Sequence, residues 1–198
     1  MTWPPIIRVF FAIEFSPAIQ DALHQVIVVM KKHVKTSHIR WTRTENLHVT
    51  LKFLPTLNTD SLPDLETKVS SMLKNYQPPL SLHVGPCITF PFEFRPRIIA
   101  MEVQPEHQLR PIAEEMTMIC NELQISQRDN HEFRPHITLG RIEQPKHLSI
   151  NDFLSCALPE IPNITIDHIT LFHSASTDHG THHYAVIKQF PLGGIEAS

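Results

Sequence analysis

Residues 6–15 alternate in character: Ile7, Val9, Phe11, Ile13 and Phe15 fall on one side of an extended chain, Arg8, Phe10, Ala12 and Glu14 on the other. A period of two predicts a strand with one buried face. Ser16-Pro17 then reads as an N-cap followed by proline in the first turn. Ile19, Leu23, Val26, Ile27 and Met30 recur at helical spacing, so the pattern predicts an amphipathic helix over 17–34. A strand over 47–54 comes next. A second helix fits 60–76, with Leu62, Leu65, Val69, Met72 and Leu73 on one face.

The proline-rich run from Pro78 to Pro96 predicts a strand near 80–89 and then a loop. Residues 97–103, RIIAMEV, read as a strand. Pro105 opens a third helix whose buried stripe is Leu109, Ile112, Met116, Ile119 and Leu123. Strands over 136–142, 164–173 and 183–190 follow, the last two flanking the hairpin segment SASTDHGT.

The order repeats. RVFFAIEFSPAIQDAL starts at Arg8 and RIIAMEVQPEHQLRPI starts at Arg97; each is a strand, a proline-initiated helix and then a strand containing His-x-Thr. Arg8 lies 40 positions before His48, and Arg97 lies 39 before His136. Two pseudo-repeats, about 6–54 and 97–142, therefore predict a single bilobal domain over 1–198. Packing the two lobes about a pseudo-two-fold axis sets His48 opposite His136.

Composition narrows the function. Hydrophobic residues make up 41% and charged residues 19%, a globular balance. A formal net charge of -3 argues against a broad basic surface that coats long nucleic acid, but leaves room for a small anion site. Cys87, Cys120 and Cys156 are scattered without zinc spacing, which predicts reduced thiols and a cytoplasmic setting. The apolar run at the start is interrupted by Arg8 and reads as a strand, not a leader; no stretch is long enough to span a bilayer. Nothing implies an obligate protein partner.

The chemistry lies in two strings, LHVTLKFL and RPHITLGR. Side chains two apart on a strand share a face, so His48 and Thr50 line one side while Val49 and Leu51 face the core; His136 and Thr138, with Ile137 and Leu139, repeat this. Two imidazoles across a groove suit acid–base chemistry on a phosphate ester, one taking a proton from water and the other giving one to the leaving alkoxide. The threonine hydroxyls can hold the non-bridging oxygens. A two-histidine metal site is the competing reading, but zinc takes about three or four protein ligands and spacing supplies no third. No metal or other cofactor is expected. His173, His179, His182 and His183 read as exposed hairpin residues.

These strings, with the opening RVFFAIEF and the closing YAVIKQFPL, resemble the two-histidine phosphoesterase superfamily, and within it the RNA 2',3'-cyclic phosphodiesterases, also called 2'-5' RNA ligases. The resemblance spans about residues 6–193. It implies an α+β fold with two pseudo-symmetric lobes, each an antiparallel sheet with flanking helices, and HxTx strands facing across a central cleft. It implies metal-independent opening of a terminal 2',3'-cyclic phosphate on RNA 3' ends or nucleosides to a 2'-phosphate, with weak 2'-5' joining. It assigns His48 as proton donor, His136 as proton acceptor, and Thr50 and Thr138 as phosphate holders. The residues themselves leave the direction of proton flow open.

The resemblance also points to Arg141 as a substrate contact. Strict alternation puts Arg141 on the wrong face, so a bulge or strand end at Gly140 is required. Arg43, Lys52 and Arg134 are candidates for a local positive rim, with Arg43 carried as a substrate contact, and Phe11 or Phe92 for stacking a base. Pro55 stands where the family commonly has glycine, in what reads as a turn. A non-catalytic module that binds a nucleotide or RNA end in the same cleft is the alternative function.

Overall fold

The computed structural model describes residues 3–34, 38–90, 96–125, 132–144, 153, 156–176 and 182–194. In chain order the elements are β1 (Ile6–Ile13), α1 (Pro17–Val34), β2 (Ile39–Trp41), β3 (Val49–Asn58), α2 (Leu62–Leu73), β4 (Leu80–Phe90), β5 (Ile98–Gln104), α3 (Glu106–Glu122), β6 (His136–Ile142), β7 (Ile164–Ile166), β8 (His168–Ser176) and β9 (His182–Pro191). The fold is α+β: an antiparallel sheet with flanking helices. Strand order is β7-β4-β5-β6-β3-β1-β8-β9, with β2 pairing β6 off this path.

The sequence pattern accounts for most of this. α1 covers 17–34 as expected and buries Ile19, Leu23, Val26, Ile27 and Met30. Leu23, Val26 and Met30 are wholly shielded from water; each such burial stabilises by about 1.5–3 kcal/mol. Lys31, Lys32 and His33 in its last turn face the negative end of the helix dipole. α2 is shorter than predicted, because a 3-10 turn over Thr59–Ser61 precedes it. β2 had no sequence signal: three residues are too few to show a period, and its pairing with β6 holds it.

From Val9 on β1 is buried on both faces, Phe10 at 3% and Ala12 at 0% exposure being covered along with the face that the alternation predicts. Ile7, Val9, Phe11 and Ile13 are 0–2% exposed and belong to the core, Phe11 meeting Phe190 at 5.8 Å between ring centroids. Phe11 is thus a core residue and not a stacking surface, and Phe92 lies outside the described residues. Pro55 does not make a turn. It falls inside β3 where Ile7 pairs with Leu57 and Val9 with Leu54, an irregular stretch that lacks a ladder bond for its missing N–H.

Two further bulges decide the site. Phe11 pairs with Lys52 but Ala12 with Thr50, so Leu51 is an extra residue in β3. Ile99 pairs with Gly140 but Ala100 with Thr138, so Leu139 is an extra residue in β6. Each bulge follows a His-x-Thr string directly and reverses the phase of the strand beyond it.

Candidate active site

β3 and β6 lie side by side, with Val49 opposite Ile137. Both side chains are fully buried, as is Leu139, and Leu51 is nearly so. Antiparallel register then sets Thr138 beside His48 and Thr50 beside His136, all four on the other face. The two bulges extend this face. Thr50 is joined by Phe53 and Thr138 by Arg141, and all four line one cavity of about 300 Å³ with His48. The irregularity that Arg141 needed is present, placed at Leu139 and not at Gly140. Gly140 is instead a point of close approach: a Cβ there would lie 2.9 Å from Ile39 Cγ2 and 3.3 Å from both Arg40 O and Trp41 Cε3.

The two histidines have the same local anchoring. His48 Nδ1 lies 2.7 Å from Asn46 O, and His136 Nδ1 lies 2.7 Å from Arg134 O. A carbonyl can only accept, so each Nδ1 carries a proton and donates it. That leaves each Nε2 as the acceptor of the neutral ring. The Thr50 hydroxyl, 3.0 Å from His48 Nε2, donates to it.

Aromatic rings stand against both imidazoles, two at His48 and Phe90 at His136. Phe10 lies 4.8 Å from His48 between centroids and Tyr184 lies 5.4 Å away edge-on, while Phe172 stacks on Phe10 at 5.3 Å. Phe90 lies 4.7 Å from His136. Desolvation by these walls pulls the His48 pKa down to about 4, against the opposing hydrogen bond to Asn46; repulsion from His136 adds to the fall. His136 is also lowered, first by burial and then by the Arg134 and Arg141 guanidinium groups. Both rings are therefore neutral in the empty site at neutral pH.

Arg8 and Arg141 bring positive charge to the His48 cavity, and its described lining includes no carboxylate. An overall acidic chain thus carries a locally positive cavity. Arg43 is not brought there: its guanidinium lies 3.6 Å from Glu45 with 66% of the side chain exposed. Lys52 is 5% exposed; the bulge at Leu51 takes it out of the His48 cavity, and it lines a neighbouring cavity beside His136 together with Arg134. Arg134 stands over Phe90 at 5.1 Å and 3.6 Å from Glu102.

Sequence reasoning missed Arg8, Phe10, Phe53, Asn46, Ser174 and Tyr184 as cavity residues. A signal existed for Arg8 and Phe10, which share the non-core face of β1. None existed for Tyr184, which arrives through pairing of β9 with β8 and of β8 with β1. All three cysteines are free thiols. Among the described residues no group of three or more His, Cys, Asp or Glu side chains is placed to hold a metal ion, and no helix is long and apolar enough to cross a membrane.

Comparison with known proteins agrees with this architecture. The model of the 2'-5' RNA ligase superfamily matches residues 9–178. The chain is homologous to the RNA 2',3'-cyclic phosphodiesterase of Aquifex aeolicus, 25% identical over 198 residues, covering 96% of this chain and 99% of that protein. That of Methanothermobacter thermautotrophicus is 22% identical over 160 residues, covering 81% and 83%. Among solved structures, a protein of Thermus thermophilus aligns with a TM-score of 0.74 at 24% identity, over 95% of this chain and 99% of that one. Escherichia coli LigT complexed with 3'-AMP aligns with a TM-score of 0.75 at 22% identity, over 94% and 98%. The fold and paired histidine strings are those of a two-histidine phosphoesterase. The chain belongs to the 2'-5' RNA ligase superfamily.

Proposed function

We propose that this protein is a metal-independent RNA 2',3'-cyclic phosphodiesterase that opens a terminal cyclic phosphate to a 2'-phosphate. The observation that carries the reading is the twin anchoring of His48 and His136, each with Nδ1 tied to a carbonyl and Nε2 left for proton transfer. We read the two halves of the sheet, β7-β4-β5-β6 and β3-β1-β8-β9, as pseudo-symmetric lobes of one domain meeting at the β6–β3 seam.

The cyclic phosphate sits between the two imidazoles with its non-bridging oxygens on Thr50, Thr138 and Arg141. His136 Nε2 takes a proton from water as the water oxygen bonds to phosphorus. The P–O3' bond breaks opposite, and His48 Nε2–H protonates the departing 3'-oxygen. Arg141 and the hydroxyls stabilise the charge that gathers on the phosphoryl oxygens. His48 must enter this step protonated. A bound phosphodiester anion beside the ring raises its pKa from the depressed value of the empty site. Once protonated, His48 no longer accepts from Thr50, so that hydroxyl is released to donate to the phosphate.

Purified protein in EDTA should convert a nucleoside 2',3'-cyclic phosphate to the 2'-phosphate. His48→Ala and His136→Ala should each reduce kcat by about 10²–10⁴-fold, the usual worth of general acid–base catalysis. Dependence on added metal, or a 3'-phosphate product, overturns the reading.

A further inference from the structure

Arg134 reaches His136 by two routes. Its carbonyl accepts from His136 Nδ1. Its guanidinium stands 5.1 Å from the centre of the Phe90 ring, and that ring lies 4.7 Å from the His136 ring. The backbone of Arg134 thus orients the imidazole, and its side chain backs the ring that walls the imidazole in.

Glu102 on β5 holds the guanidinium. Its carboxylate lies 3.6 Å from Arg134 and accepts from the Gln104 amide at 3.0 Å. Glu102 is the more enclosed partner, with 23% of its side chain exposed, so the pair is less screened than one at the open surface. β5 pairs with β6 so that Glu102 stands directly opposite His136. Opposed side chains share a face of the sheet, so carboxylate and imidazole emerge side by side. Val103 N–H donates to Pro135 O at 3.1 Å and ties the chain between Arg134 and His136 to the same strand.

The other charges near His136 come from three elements. β3 brings His48 and Lys52, the chain of β6 brings Arg141 and Glu132, and α3 brings Arg110 and Glu114. Arg110 is engaged by Glu106, Glu114 and Glu132, which commits those carboxylates elsewhere. Among these described groups, Glu102 is the carboxylate placed to offset the cations beside the imidazole. Burial and the Arg134 and Arg141 charges already lower the His136 pKa. An unopposed Arg134 would lower it further and leave a weaker base.

We infer that Glu102 is a positioning residue for His136, holding the Arg134 side chain over Phe90 and offsetting its charge. This rests on the role proposed above for His136 and adds the group that sets its strength. Glu102 touches no reacting atom and acts through Arg134.

The test titrates His136 by NMR in the ligand-free protein, its imidazole signal being the one absent from His136→Ala. Glu102→Gln keeps the shape of the side chain, still accepts from Gln104 and removes the charge. It should move the His136 titration to lower pH by about half a unit or more. Arg134→Met keeps the carbonyl that anchors Nδ1 and removes the cation, so it should move the titration to higher pH. In the Arg134→Met background Glu102→Gln should move it much less, because the two residues act as a pair. On adenosine 2',3'-cyclic phosphate, Glu102→Gln should lower kcat by about two- to threefold with KM unchanged, the mark of a weaker base and not of lost binding. A titration that Glu102→Gln leaves unmoved, or moves equally with and without Arg134, overturns the inference, as does a rise in KM without a fall in kcat. Wild-type protein that leaves the cyclic phosphate intact would sink the proposed function instead, and the titrations would still judge Glu102.

Discussion

Val49 and Ile137 face each other across the β3–β6 seam, and both are fully buried. That pairing joins two segments almost 90 residues apart in the chain and directs the side chains of both His-x-Thr strings to one surface. The core side of the seam thus determines the spacing of His48, Thr50, His136 and Thr138. The geometry on which the proposed catalysis rests is a consequence of hydrophobic packing.

The depressed pKa of His48 makes the protein sensitive to acid. Its folded value of about 4 lies below the ordinary imidazole value of 6.5, so the unfolded chain binds the proton more readily. The stabilisation is complete above pH 6.5 and is lost as pH falls towards 4, reaching on the order of 3 kcal/mol. Chemical denaturation of wild-type and His48→Gln protein between pH 4 and 8 should show a shallower acid slope in the variant.

As the proposed acid, the same group should shape the rate profile. kcat/KM reports the free enzyme, in which His48 is protonated only at low pH, whereas kcat reports the complex, in which phosphate charge raises the ring's pKa. The alkaline limb of kcat/KM should therefore lie at lower pH than that of kcat. Coincident limbs measured on a cyclic mononucleotide would contradict the assignment of His48 as the acid.

Arg141 is predicted to act on the charge of the reacting phosphate. Arg141→Met should lower kcat/KM by about 10²–10³-fold, in the range found for lost transition-state donors. Arg141→Lys should recover only part of this, because an ammonium lacks the planar fork of donors. Steady-state kinetics on the three proteins checks both statements.

Gly140→Ala tests the packing that positions Arg141. The added methyl would meet Ile39 at 2.9 Å and force β2 away from β6. Overpacking of this kind costs about 1–3 kcal/mol. Thermal unfolding should detect the loss, and kcat should fall with it because Arg141 follows directly.

Glu14 accepts from His168 Nε2 at 3.0 Å, from Thr170 at 3.0 Å and from Gln189, tying β1 to β8 and β9. The hydrogen bond to Glu14 raises the His168 pKa, with Asp167 adding to it, so this stabilisation is present below pH 6.5 and fades as pH rises through the raised value. Glu14→Gln should lower Tm more at pH 6 than at pH 9.

Much of the fold was legible before the structure. The period of two in β1 and the helical spacing in α1 and α3 follow from local burial, and local burial leaves a repeating mark in the chain. So do the two His-x-Thr strings, since a strand's alternation alone places His48 with Thr50 and His136 with Thr138. What tertiary structure decided was non-local. The bulges at Leu51 and Leu139 arise from register against β1 and β5; they carry Phe53 and Arg141 to the His48 cavity and take Lys52 out of it. The aromatic wall that lowers His48 joins Phe10 to Phe172 and Tyr184, more than 160 positions away. Sequence records which face of an element is dry; which distant face it meets is written only in the pairing of strands, because strand hydrogen bonds join backbone groups that every residue carries alike.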